Sequence, residues 1–210
     1  MINKDLDKEI KKFVRWSRKV GYYGLAKCSS GNLSHRLNDS TILVTETRSW
    51  LSELKPKQVI QFDPIERKVI QGSKPTGELP LHLAIFAQNP EVSTVLHFQS
   101  PAATALACWQ VNEINYNVII EVPIYIGSIA HIPYIMPGSE ELALAVAGAS
   151  ISAGIIQLQN HGQVAVGKNY KDAFQKAVFF ELACNIILSG NKEMNYLSPE
   201  QINMLSNYRK

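Results

Sequence analysis

The chain has 210 residues, of which 46% are hydrophobic and 19% charged, with a formal net charge of +3. Those proportions exclude a disordered polyelectrolyte and point to a folded globular protein, long enough for one sizeable core and read as a single domain over residues 1–210. A charge this small, with no basic block, gives no case for nucleic acid or a membrane surface.

Residues 4–20 carry Leu6, Ile10, Phe13 and Val14 at helical spacing, with charges on the other face. Gly21 and Gly24 are expected to end that helix. C-S-S-G-N-L-S-H-R-L at 28–37 is polar around Gly31-Asn32. Thr41–Thr45 is rich in β-branched residues and predicts a strand, followed by a T-E-T-R-S-W loop. Strands at 59–62 and 68–70 flank an Asp63-Pro64 turn, which predicts a hairpin. A loop then leads to a helix opening at Glu78, with proline tolerated in its first turn and Pro90 past its end.

Thr94–Pro101 reads as an apolar strand running into His97, with Gln99 on the same face because strand side chains alternate. A small-residue helix over 102–109 follows. Residues 117–126 look extended, an edge or bent strand interrupted by Pro123. A proline-pinned loop leads to Ser139, a good N-cap for a helix to about Ser152. Strands at 155–158 and 163–166 are joined through Q-N-H-G, and a long helix covers 170–189. Ser198, Pro199 and Gln201 combine an N-cap, a first-position proline and a third-position glutamine, which should start a short C-terminal helix. Strands adjoining through short turns predict a largely antiparallel sheet with helices on its faces.

Cys28, Cys108 and Cys184 are widely spaced and odd in number, which disfavours a disulfide framework or a cysteine-rich zinc site. The start of the chain carries charges of both signs, unlike a signal peptide, and no apolar run approaches the roughly 20 residues that span a bilayer. A cytoplasmic protein is the expectation.

A metal generally needs about three or four protein ligands, so His97 must find partners elsewhere. The other histidines are His35, His82, His131 and His161. His161 either is held rigidly at a sheet end by its turn, or fills a spare position between Asn160 and Gly162. His82 reads as packing or surface. Glu78 either complements a helix dipole or serves as ligand or general base. The loops at 30–32 and 76–77 match neither a Rossmann nor a P-loop motif, though their backbone N–H groups suit an anion. No G-x-S-x-G elbow occurs.

Taken in order, S-G-N-L-S-H-R at 30–36, V-T-E-T-R at 44–48, P-T-G-E-L at 75–79, V-S-T-V-L-H-F-Q-S-P-A-A-T-A-L-A at 92–107, I-P-Y-I-M-P-G at 132–138 and L-Q-N-H-G-Q-V-A-V-G at 158–167 resemble the class II aldolase/adducin-head family. The resemblance implies an α/β fold, three-layer α/β/α with a central, mostly antiparallel sheet, and a homotetramer with sites between subunits. It implies a metal-dependent sugar-phosphate aldolase of the L-fuculose-1-phosphate type. Carried over residue by residue, Glu78, His97 and His161 match metal ligands, and Gln99 stands where the second histidine of H-x-H is usual. Glu78 and Tyr134 match the catalytic pair. Gly31, Asn32, Thr47, Arg48, Thr76 and Gly77 match the loops that hold substrate phosphate.

The implied cofactor is a divalent metal, foremost Zn²⁺, acting as a Lewis acid in retro-aldol cleavage. Glu78 would move the enediolate proton, and Tyr134 would exchange one with the aldehyde oxygen. Products would be dihydroxyacetone phosphate and a short aldehyde. Related chemistries are a pentulose-phosphate 4-epimerase and a methylthioribulose-phosphate dehydratase. A non-catalytic adducin-like module is the further alternative. The Gln99 amide is a weaker zinc ligand than imidazole, which favours lowered affinity, a harder metal or an empty site. Arg48 replaces the usual phosphate-loop glycine.

Overall fold

The computed structural model describes residues 4–110, 114–190 and 194–208. Eight strands form one sheet: β1 (Asn32–Asn38), β2 (Thr41–Thr45), β3 (Val59–Asp63), β4 (Lys68–Gln71), β5 (Thr94–Phe98), β6 (Ser128–Ile132), β7 (Ala153–Leu158) and β8 (Gly162–Gly167). Their order is β4-β3-β2-β1-β5-β8-β7-β6. Every pairing is antiparallel except β6 with β7. The helices are α1 (Lys4–Tyr22), α2 (Leu79–Gln88), α3 (Pro101–Ala107), α4 (Glu140–Ala149), α5 (Tyr170–Ser189) and α6 (Pro199–Asn207).

Alternation along the strands sorts the core into two layers. Leu33, Leu43, Leu96, Phe98, Ile155 and Ala165 bury against α1, α3 and α5 through residues such as Phe13, Leu106 and Phe180. Their neighbours Ile42, Val44, Val95, Ile156 and Val164 bury against α2 and α4 through Leu81, Ile85, Leu142 and Val146. The expected three-layer α/β/α arrangement around a mostly antiparallel sheet is therefore observed.

The expected helix starts hold. Ser139 Oγ accepts from the Leu142 N–H at 3.1 Å. Ser198 and Gln201 make the reciprocal capping pair, with the Ser198 N–H donating to Gln201 Oε1 at 2.8 Å. The 59–70 hairpin is present as β3 and β4.

Four expectations differ. Helix α1 continues through Gly21, which lies so close to Ser52 that a Cβ there would sit 2.5 Å from its Cα. The polar stretch after residue 31 is strand β1, in which the Asn32, Ser34 and His35 side chains are paired with other polar groups. Residues 117–126 are not a strand: the described backbone there turns and ends in one π-helical turn, Val122–Ile126, with Pro123 early in it. The edge strand of that region is instead β6, immediately after that turn, β4 being the edge at the other side of the sheet.

Candidate metal centre

The site forms where the end of β5, the β7–β8 turn, the start of β1 and the N-terminus of α2 meet. Register places Asn32 opposite His97 and Ser34 opposite Val95. All of these side chains point to the face covered by α2, because Val95 lies in the α2 and α4 core layer. Gly31 lets the chain enter β1 with φ +80°, and a Cβ there would lie 2.9 Å from the His97 carbonyl oxygen.

Helix α2 begins at Leu79 with Glu78 at its N-cap, yet the Glu78 side chain makes no cap hydrogen bond. It turns to the histidines. Oε2 lies 3.2 Å from His97 Nε2, and Oε1 lies 3.3 Å from His161 Nε2. The ligand atoms of the three residues all fall within 4.8 Å of one another.

The turn that carries His161 needs two special positions. Asn160 adopts φ +55°, which asparagine tolerates better than most residues. Gly162 has no room for a side chain: a Cβ would meet the Phe98 carbonyl oxygen at 2.6 Å, Gln99 Cγ at 2.7 Å and His97 Cε1 at 3.3 Å. The turn residues thus serve the backbone while the imidazole between them faces Glu78. Gln99 follows the last residue of β5 and runs along Gly162, beside both histidine-bearing segments.

The protonation pattern points to a cation. His97 Nδ1 is 3.0 Å from the Gln163 carbonyl oxygen, which can only accept, so this nitrogen carries the proton. A neutral His97 then presents its Nε2 lone pair to a carboxylate oxygen. Two acceptors facing each other at that distance call for a positive charge, either a proton or a metal. Ligands on a tetrahedral zinc with bonds of about 2.0–2.2 Å sit about 3.3–3.6 Å apart. The two Glu78–histidine spacings, 3.2 and 3.3 Å to different carboxylate oxygens, lie just below and at the lower end of that range. Two imidazoles with a carboxylate are a donor set that divalent transition metals accept.

Burial acts to raise the Glu78 carboxyl pKa, but His97, His161, the Asn32 amide and His82 outweigh it and hold it below the usual range. Burial and the nearby His97 lower the His161 pKa, with Glu78 opposing. The neutral imidazole is the form that binds a metal. His161 Nδ1 is buried without a protein partner.

Outside this cluster, Glu181 anchors the junction after β5. It accepts from Ser100 Oγ at 2.6 Å and from the backbone N–H groups of Ala102 and Ala103 at 3.0 and 2.9 Å. Its backbone contacts fix the chain just beyond His97 and Gln99.

The segments expected to hold phosphate lie side by side. The Thr47 N–H donates to the Lys74 carbonyl and the Thr76 N–H to the Thr45 carbonyl, at 2.9 and 3.0 Å. Arg48 is exposed and adopts φ +60°, the left-handed region that glycine enters freely, so the backbone shape survives with a guanidinium added. Gly77 is exposed beside Glu78. Asn32 differs: its side chain is 7% exposed and already engaged, its amide N–H donating to Glu78 Oε2 at 3.4 Å.

Tyr134 is 58% exposed, and its hydroxyl lies 3.8 Å from Met136 Sδ. Its loop reaches the site's rim, since a Cβ on Gly138 would lie 3.2 Å from the Gly77 carbonyl oxygen. His131 lies on β6 and stacks on Tyr116. His82 is not a surface residue. It is fully buried beneath Glu78, hydrogen-bonded to Asn32 and Ser34, and burial pushes its pKa down to about 3. The signal for it was available: Glu78 and His82 are four apart, one turn along the same helix.

The family model described as Class II Aldolase and Adducin N-terminal domain matches residues 11–188. The chain belongs to the class II aldolase family. Among curated relatives, the 3-oxo-tetronate 4-phosphate decarboxylase of Haemophilus influenzae is 33% identical over 201 residues, 92% of this chain and 94% of that one. The L-fuculose phosphate aldolase of Methanocaldococcus jannaschii is 32% identical over 181 residues, 85% of this chain and 94% of that protein. Among solved structures, YgbL of Escherichia coli, an aldolase/epimerase/decarboxylase candidate, superposes with a TM-score of 0.88 at 27% identity, covering 96% of this chain and 99% of its own. Lyase-type chemistry on a sugar phosphate fits this class II aldolase family member, and no helix among its described residues is long and apolar enough to cross a membrane.

Proposed function

We propose that this chain is a metal-dependent carbon–carbon lyase that decarboxylates a phosphorylated 3-oxo sugar acid of the 3-oxo-tetronate 4-phosphate kind. The observation that carries the reading is the Glu78–His97–His161 cluster, in which a carboxylate faces an imidazole whose far nitrogen is committed to the Gln163 carbonyl. Glu78, His97 and His161 would hold the cation, with the Gln99 amide oxygen as a fourth ligand. Zn²⁺ is the metal we favour, and the neutral amide leaves room for a harder one such as Mn²⁺. When bound, the cation supplies Lewis acidity for negative charge developing on the substrate ketone oxygen.

In the reaction the C1–C2 bond breaks, CO₂ leaves, and its electron pair enters the C2–C3 enediolate. C2 then takes one proton, giving dihydroxyacetone phosphate. Glu78 is the group placed to pass that proton, supplied by solvent, to C2. The phosphate is assigned to Thr47, Arg48, Thr76 and Gly77 with the Gly31 loop, where threonine hydroxyls, the Gly77 N–H and one guanidinium suit an anion, the Thr47 and Thr76 N–H groups being already engaged with backbone carbonyls.

Decarboxylation is put first because four curated relatives named 3-oxo-tetronate 4-phosphate decarboxylase are 31–33% identical over 85–92% of this chain. Loss of CO₂ needs no group to take a proton from a substrate hydroxyl, whereas retro-aldol cleavage does. The second reading is aldol cleavage of a ketose 1-phosphate of the L-fuculose type, supported by the archaeal aldolase relative. It passes through the same enediolate and would bring Tyr134 to the site in a homotetramer. The test offers both substrates to the purified, metal-loaded protein. CO₂ and dihydroxyacetone phosphate in equal amounts from the oxo-acid support the first reading. Dihydroxyacetone phosphate with lactaldehyde from L-fuculose 1-phosphate alone supports the second, and turnover of neither removes both.

A further inference from the structure

Beneath the metal cluster runs a line of polar side chains that the reaction itself does not use. Ser34 Oγ lies 2.6 Å from His82 Nδ1, His82 Nε2 lies 2.5 Å from Asn32 Oδ1, and Asn32 Nδ2 lies 3.4 Å from Glu78 Oε2. Ser34 and His82 are fully buried. Four polar side chains brought under one helix are costly unless each meets a partner of opposite kind.

The chemistry of the groups allows one arrangement. An amide oxygen only accepts, so His82 Nε2 must carry the ring proton. His82 Nδ1 then has a lone pair, and the Ser34 hydroxyl donates to it. The Asn32 oxygen is occupied by His82, so its NH₂ is the side left for Glu78, an acceptor. Every link donates in one direction, from Ser34 to Glu78. Reversal is unfavourable at each step: a proton on Nδ1 would set the His82 Nε2 lone pair against the Asn32 oxygen. Turning the amide over to relieve that would set its oxygen against the Glu78 carboxylate.

We propose that His82, held in one tautomer by Ser34, is a positioning residue that fixes the Asn32 amide and through it the Glu78 carboxylate for metal binding. This rests on the reading of Glu78, His97 and His161 as the metal ligands. Partners of this kind behind a ligand commonly change metal affinity by about 10–100-fold when removed. Ser34→Ala removes the donor that sets the tautomer and is the gentlest change. His82→Phe keeps a ring and removes both nitrogens. His82→Gln returns one N–H to Asn32.

The experiment measures Zn²⁺ affinity by chelator competition on the full chain, with melting temperature recorded for the metal-free proteins. The nitrogen shifts of His82 are read by NMR in the metal-free wild type. Expected are an Nε2–H tautomer, affinity about 10-fold weaker in Ser34→Ala at unchanged melting temperature, a larger loss in His82→Phe, and partial recovery in His82→Gln. Should His82→Phe fail to fold, Ser34→Ala and the tautomer decide. Equal affinity in wild type and Ser34→Ala, or an Nδ1–H tautomer, overturns the relay while the metal centre stands. A wild type that binds no Zn²⁺, Mn²⁺ or Co²⁺ overturns both, and identifies the metal reading as the part that failed.

Discussion

His35 and His97 occupy the two ends of one antiparallel ladder, β1 with β5, and differ in what they meet. His35 pairs with Thr94, and His97 with Asn32. His35 faces the α1 and α5 layer, where Nδ1 lies 2.8 Å from Thr94 Oγ1 and the ring stacks on Tyr170 at 4.0 Å between centroids. A hydroxyl can donate or accept, so that contact suits a neutral ring and requires no cation. His97 faces the opposite layer with a carbonyl behind it and a carboxylate in front. A histidine wholly or partly inside the fold is thus uninformative by itself. The distinguishing feature is an acceptor at both nitrogens.

The widest separation between the two ends should appear on substitution. His97→Ala or His161→Ala is expected to lower kcat/KM at least 100-fold and to abolish tight metal binding, while His35→Phe, which keeps the stack, leaves both within about 3-fold. Steady-state kinetics with metal analysis checks this, and comparable losses at both ends would erase the distinction. Next in size is acid sensitivity. Burial, helped by Lys12, lowers the His35 pKa to about 4 from 6.5. The unfolded chain binds the extra proton first, so the stabilisation is complete above about pH 6.5 and is lost as pH falls toward 4. Between pH 7 and pH 4.5 the wild type should lose about 2 kcal/mol more than His35→Phe, read from urea unfolding at the two pH values.

Smaller effects sharpen the metal end. Gln99→His replaces an amide oxygen with imidazole and is expected to tighten Zn²⁺ binding about 10-fold, whereas an unchanged constant would mean that Gln99 does not ligate. Arg48→Gly should raise stability by about 0.5–1 kcal/mol by relieving the left-handed backbone, and raise KM for a phosphorylated substrate several-fold by removing a cation. A lower melting temperature with unchanged KM would contradict both halves.

The sheet core and most helices were legible because apolar residues recur at the periods of strand and helix. Ile42, Leu43 and Val44 alternate between the two layers, and the caps at Ser139 and Ser198 bond as their types require. Strand β1 was hidden because Asn32, Ser34 and His35 are held by polar partners, so burial came without hydrophobicity. Strand β6 was hidden because it is a half-exposed edge paired on one side only. At the site, Glu78, His97 and His161 were legible through their motifs. The i,i+4 spacing of Glu78 and His82 was readable, but the placing of Asn32 between them was not, because which side chain turns inward from a polar loop depends on the register of β1 with β5 and on where α2 lies across it.

The central claim is that Glu78, His97 and His161 hold one divalent metal, and the most direct measurement is metal content after equilibration with Zn²⁺, Mn²⁺ or Co²⁺ and removal of excess. The account predicts one equivalent per chain in the wild type and a near-complete loss in His97→Ala and in His161→Ala, with His35→Phe retaining its metal. A wild type that retains none of the three ions, or a His97→Ala variant that retains a full equivalent, would contradict it.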